Sequence, residues 1–400
     1  MKQYLKFFWL VGAIAILTAG CAQKGIQGLS AEDTPEHHYL MGMELVDDGN
    51  LSDAKTHFDR ALALAPDYAP ALSGNALVAA CNCEFQDDAS HRSVDMEKAI
   101  ELIEKAEDET DGASQRFAIQ VTAIRVYTHA KPKNWLESAQ NAYDGGMGIK
   151  DVKATELPYY RGREAADYFM GVAAYRAFQF RDAEDLLSNV TQAAPGRWHE
   201  PAAILFKKVH KIVRAMANYT LTDVAKHIAI KDEVVRADVA ALLVDELRLD
   251  SLMAGRIPTP SKKEVQFIPA DIINNPFKNE IQTILKWHLR GLEPEYDATS
   301  QAYLFHPEST LKRKDLAFIL EDLLIKITGE EKMASVYFGQ DRSSFPDVDT
   351  SSPWYNAVMN SVSRSLMETE LSGTFRPDDT ADGSEILLAL MRLRNVMNIY

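Results

Sequence analysis

Two arginines stand at matching places in this 400-residue chain and could do the same chemistry. Val235-Arg236-Ala237-Asp238 and Lys312-Arg313-Lys314-Asp315 each set a guanidinium at the opening of an apolar run, two residues before an acid. A planar guanidinium presents a fork of donors that fits a carboxylate bidentately. Pointing outward from a helix start, each arginine could read an acidic group on a ligand. A third segment, Asp382-Gly383-Ser384-Glu385, has glycine where the arginine would stand. Its Asp382 and Glu385 suit helix capping, one accepting a first-turn N–H and the other reaching back.

Other reactive residues are sparse. Cys81 and Cys83 flank Asn82, too close for an unstrained disulfide and too few for a four-coordinate zinc site, so they read as small packing residues. Asp378 to Gly383 has the look of a calcium loop, but Ala389 stands at its twelfth position, where a bidentate acid is needed. His37 and His38 are adjacent and diverge on a helix, and His210 reads as a satisfied neighbour. No nucleophile elbow, paired zinc histidines, phosphate loop or dinucleotide glycine fingerprint occurs. The chain reads as non-enzymatic, without cofactor or metal.

The arginines are positioned by a repeat. Phe345-Pro346-Asp347-Val348, then Trp354, then Gly373-Thr374-Phe375-Arg376-Pro377 and Glu385 form one copy. Upstream, Pro269-Ala270-Asp271-Ile272, Phe277, Phe305-His306-Pro307 and Asp315 follow the same order, and in both copies the proline precedes the acid by eight residues. The apolar helices after Asp315 and Glu385 align with a third after Asp238, which lacks a recognisable front half. Internal repetition is a strong architectural signal. These residues resemble the S-layer homology family over about 227 to 395. The resemblance implies three repeats packed around a helical bundle, docking of peptidoglycan or a wall-linked polymer, and contact between the motif arginine and an acidic sugar substituent. It puts Arg236, Arg313, Trp354 and Asp347 at glycan-binding positions.

Farther upstream, Gly42, Ala54, Ala61 and Pro66 are spaced 12, 7 and 5, and Gly171, Ala183, Val190 and Pro195 repeat those intervals. This resembles the tetratricopeptide repeat, in which small residues let two helices approach and proline ends the second. Looser helical pairs at 69–80 with 97–106, and 115–130 with 135–143, bring the count to four hairpins around an insertion near 85–93. Such a stack implies a concave groove for an unidentified protein partner. Leu205 to Thr222 reads as a linking helix.

At the N-terminus Lys2 and Lys6 precede an apolar run from Phe7 to Leu17 and then Thr18-Ala19-Gly20-Cys21, the layout of a secretory signal too short to span a membrane. Small residues before Cys21 resemble a bacterial lipobox, which implies acylation of Cys21 and a membrane held through lipid. Ala22 after the cysteine favours outer-membrane sorting, facing the periplasm. The formal charge is −15, and −17 once Lys2 and Lys6 leave with the signal, which disfavours nucleic acid.

The sequence thus predicts an all-α protein: signal 1–20, lipidated tether 21–34, a tetratricopeptide-like solenoid 35–203, a linking helix 204–226, and a three-repeat bundle with long loops at 227–400. The expected role is a tether between wall polymer and a protein partner. The alternative is a protein scaffold of an outer-membrane assembly or secretion system, with a degenerate S-layer-homology-like fold.

Overall fold

The computed structural model describes residues 26–256 and 268–397; Cys21 and the signal lie outside them. Helices dominate, sixteen in number among the described residues, with a single two-stranded sheet. No described helix is long and apolar enough to cross a membrane. The chain divides into two compact units. The first takes the described residues to Ala177 with Asp185–Ala202, and the second takes Phe178–Glu184 with those from Ala203 onward.

The N-terminal unit is built from helical hairpins: α1 (Pro35–Asp47) with α2 (Leu51–Leu64), α3 (Ala69–Phe85) with α4 (Ala89–Asp108), and α5 (Gly112–Ala130) with α6 (Trp135–Gly148), followed by α7 (Glu164–Arg176) and the part of α8 (Phe180–Gln192) from Asp185 on. First helices pack on first helices, α1 on α3, α3 on α5 and α5 on α7. The small residues have a steric reason. A Cβ on Gly42 or Gly74 would come within 2.5 or 2.3 Å of the fully buried Phe58 ring, so both first helices close over it only as glycine. Ala54 and Ala61 are fully buried on α2, which ends before the extended Ala65 that precedes Pro66. A Cβ on Gly171 would stand 3.0 Å from Leu187. Ala183 is fully buried, and Pro195 lies exposed beyond the end of α8.

Two boundaries differ from expectation. The insertion near 85–93 is shorter, because the Asp88 carboxylate accepts the Ser90 and His91 N–H groups at 2.9 and 3.0 Å and starts α4 at once. The helix expected over 205–222 is α9 (His199–Ala215). It cannot run on to Thr222, whose hydroxyl caps the next helix by accepting the Ala225 N–H and donates to Glu246 at 2.8 Å.

The C-terminal unit continues with α10 (Asp223–Ala229), α11 (Arg236–Leu247), α12 (Leu249–Met253), α13 (Lys278–Lys286), a hairpin of β1 (Glu295–Asp297) and β2 (Ala302–Leu304), α14 (Arg313–Thr328), α15 (Tyr355–Ser363) and α16 (Gly383–Val396). The strands pair antiparallel with Tyr296 opposite Tyr303. The last helix packs against α10, α11 and α14. Its inner positions, Ile386, Leu387, Leu390 and Leu393, are fully buried.

Candidate functional site

Each motif loop is held from two sides. Asp347, at the start of the third repeat, accepts the Phe375 N–H at 2.9 Å and the Arg376 N–H at 2.6 Å on its two carboxylate oxygens. Asp271 does the same one repeat earlier, taking Phe305 at 3.0 Å and His306 at 2.6 Å. Two successive N–H groups converge because Arg376 and His306 are both left-handed, with φ of 59° and 55°. Left-handed backbone at a non-glycine residue costs roughly 1–2 kcal/mol. Two charge-assisted hydrogen bonds offset that cost.

The motif arginine of the preceding repeat holds the same phenylalanine from the other side. Arg236 Nε donates to the Phe305 carbonyl at 2.9 Å, and its Nη1 and Nη2 donate to the Gly291 and Glu293 carbonyls. Arg313 Nε donates to the Phe375 carbonyl at 2.8 Å, Nη2 to the Glu368 carbonyl at 2.8 Å, and Nη1 pairs with the Glu385 carboxylate. Both guanidiniums lie over the ring of the phenylalanine they grip, at 4.9 and 4.8 Å. The expectation that these arginines point outward is therefore corrected: all three nitrogens of each are engaged by the protein. Arg313 is 3% exposed, and burial draws its pKa down to about 10, so it stays cationic at neutral pH. Arg236 is half-buried and keeps an edge toward solvent.

Capping also departs from the simple scheme. Asp238 and Asp315 reach back to the Val235 and Lys312 N–H groups, each at 3.1 Å, whereas Asp382 accepts the Glu385 N–H at 2.9 Å. The Glu385 carboxylate serves Arg313 instead.

The missing third arginine has a geometric cause. Arg236 N–H donates to Ser309, Arg313 N–H to Asp379 and Gly383 N–H to Lys231, all at 3.0 Å, so each repeat leans on the next and the third returns to the first. The first repeat lacks a long motif loop, and its backbone runs directly against α16. A Cβ on Gly383 would fall 1.8 Å from the Ile228 carbonyl oxygen. Glycine is required there, and an arginine has no loop to grip.

Trp354 is half-buried at the start of α15, with Nε1 enclosed and without an acceptor among the described residues. The Lys314 ammonium lies 4.5 Å from its ring centroid and 2.6 Å from Asp378. The exposed Arg376 pairs with Glu370 and Asp379. Around the third loop, then, cations reach the surface beside the buried clamp, while the Trp354 indole N–H stays enclosed. The sequence reading missed Lys314. It also missed the hairpin inserted in the second loop, whose Tyr296 and Tyr303 are more than half exposed, 5.4 Å apart edge to face.

The N-terminal unit holds a second constellation, where a groove for a partner was expected. Arg125, buried on α5, donates to Asp47 and to the Tyr159 hydroxyl, both at 2.9 Å, and Tyr159 donates to Asp47 at 2.6 Å. Tyr160 meets Thr122, while the Trp198 indole donates to the Tyr160 carbonyl at 2.7 Å. Where α1, α5 and α7 converge, the chain's own aromatic residues fill the space. No group of three or more His, Cys, Asp or Glu among the described residues could hold a metal.

No curated protein and no solved structure matches the chain. A family model does match, over residues 344–387, which take in Asp347, Trp354, the Phe375 loop and the start of α16; it is the S-layer homology domain. Modules of that family bind cell-wall material without catalysis, and the match associates this chain with the cell envelope.

Proposed function

We propose that the protein is a non-enzymatic envelope lipoprotein whose C-terminal unit binds peptidoglycan or a wall-linked polymer while the acylated Cys21 holds a membrane, the outer one in a host that has two. The observation that carries the reading is the match at 344–387 on a loop whose Asp347 and Arg313 hold it rigid from both sides. In this reading Asp347 and Arg313 position the loop, and ligand contact falls to the accessible edge of Arg236 and to Trp354 with Lys314. A pre-ordered loop loses little entropy on binding. The N-terminal unit recruits a protein partner through the outer surfaces of its hairpins, since its converging helix faces are filled.

A second reading, a protein scaffold whose S-layer-homology-like unit has lost its ligand, is favoured by the burial of Arg313 and by Gly383. Sedimentation of the full chain with sacculi from the source organism, with and without their attached polymers, separates the two. Co-pelleting lost on stripping supports the wall tether. Absence of co-pelleting in both preparations overturns it and leaves the scaffold.

A further inference from the structure

We propose that the N-terminal unit carries a binding site for a small organic carboxylate, at the carboxyl ends of α3 and α5 where the start of α4 crosses them. A cavity of about 530 Å³ opens there, lined among others by Cys83, Glu84, Arg92, Met96, His129 and Lys131. Its volume lies within the roughly 300–1,000 Å³ of ligand pockets.

Charge selects the ligand. Glu84, the one acid in the lining, is already matched by Arg176 at 3.0 Å and by His129. Arg92 spends its guanidinium on the backbone carbonyls of Gln86 and Asp87, and Lys131 lies 5.7 Å from the Trp135 ring centroid. Neither has a carboxylate partner among the described residues, although acids outnumber bases in the chain by 15. Two cations facing one cavity in an acidic protein create a local anion site. Asp88, just before α4, is committed to capping that helix, and Asp95 on α4 acts on Cys83 from beside the lining. Behind the cations, Cys83 and Met96 with Ala89 and Ala130 give an apolar floor that a bare inorganic anion would leave uncovered. Lys131 adopts left-handed backbone, φ 46°, at the α5 terminus and lines the cavity there. A carboxylate head on Arg92 and Lys131 with a body of a few carbons against Met96 satisfies both halves.

Calorimetric titration of the full chain with pentanoate tests this, with pentylamine and inorganic phosphate as comparisons. Pentanoate is expected to saturate one site. Lys131→Asn, which tolerates the left-handed backbone, should weaken it at least about tenfold, the scale of a lost charged hydrogen bond, and Lys131→Arg should not. Met96→Trp, which fills the cavity and leaves the charges, should abolish binding while the circular dichroism melt remains cooperative. Absence of binding by pentanoate, equal binding by Lys131→Asn, or equal binding of pentylamine or phosphate would each overturn the assignment.

Discussion

Arg313 and Phe375, sixty-two residues apart, are joined twice: Nε donates to the carbonyl at 2.8 Å and the guanidinium carbon lies 4.8 Å from the ring centroid. This contact fixes a loop by its backbone and its side chain at once, and ties one repeat to the next.

Removing that arginine should cost stability more than affinity. Arg313→Met strands the buried Glu385 carboxylate and two loop carbonyls, a loss of about 3–5 kcal/mol for a broken buried pair. Arg236→Met, half-buried and without a carboxylate partner in its clamp, should lose less. Urea melts of the full chain read both, and equal midpoints for the two variants would contradict the clamp.

Gly383→Ala should be among the most damaging single substitutions in the C-terminal unit. Its methyl group would meet backbone, the Ile228 carbonyl, and not a flexible side-chain end. A loss above about 3 kcal/mol is expected, in the range of the named severe mechanisms. Restoring the arginine of the repeat pattern, Gly383→Arg, should be at least as harmful. A thermal melt near wild type for either would sink the closure argument.

Acid should loosen the N-terminal unit through His57. Burial lowers its pKa from 6.5, and the neighbouring His38 and His37 add to the effect; His38 bonds its Nδ1 at 2.9 Å. The unfolded chain therefore takes up the proton first. The stability this residue supplies is present above pH 6.5 and is lost as pH falls through the folded value. Between pH 7.5 and 5.5, His57→Gln should show a smaller drop in melting temperature than wild type.

For wall binding, Trp354→Ala should weaken retention on sacculi by about 1–3 kcal/mol in apparent affinity, on the scale of interface hot spots. Lys314→Met should do so less. Arg313→Lys should retain binding wherever the protein stays folded, because its role is positioning. A pelleting series in rising salt distinguishes the contributions.

Much of the architecture is legible in the sequence because it repeats. The eight-residue step from Pro307 to Asp315 and from Pro377 to Glu385 survives as two equivalent loop-to-helix junctions. The inward turn of Arg236 and Arg313 is not legible, since, Glu385 apart, their acceptors are backbone carbonyls 55 to 69 residues away and carbonyls carry no residue signature. Asp347 and Asp271 share one role, yet the inserted Tyr296–Tyr303 hairpin puts their partners 28 and 34 residues downstream, hiding the equivalence. Tyr159 and Tyr160 lie between helices, outside any periodic pattern. Only the fold shows that such a segment reaches Asp47, 112 residues earlier.

The seam between Gly383 and Ile228 also sets an order of assembly. The Arg236 joint needs only the following loop and can form as the chain lengthens, whereas the Arg313 joint also takes Glu385 from α16. The third joins the first repeat to the final helix. A chain emerging N-terminus first closes the ring only once Gly383 and α16 have been made, so a truncation ahead of Gly383 leaves an open, unlatched fold.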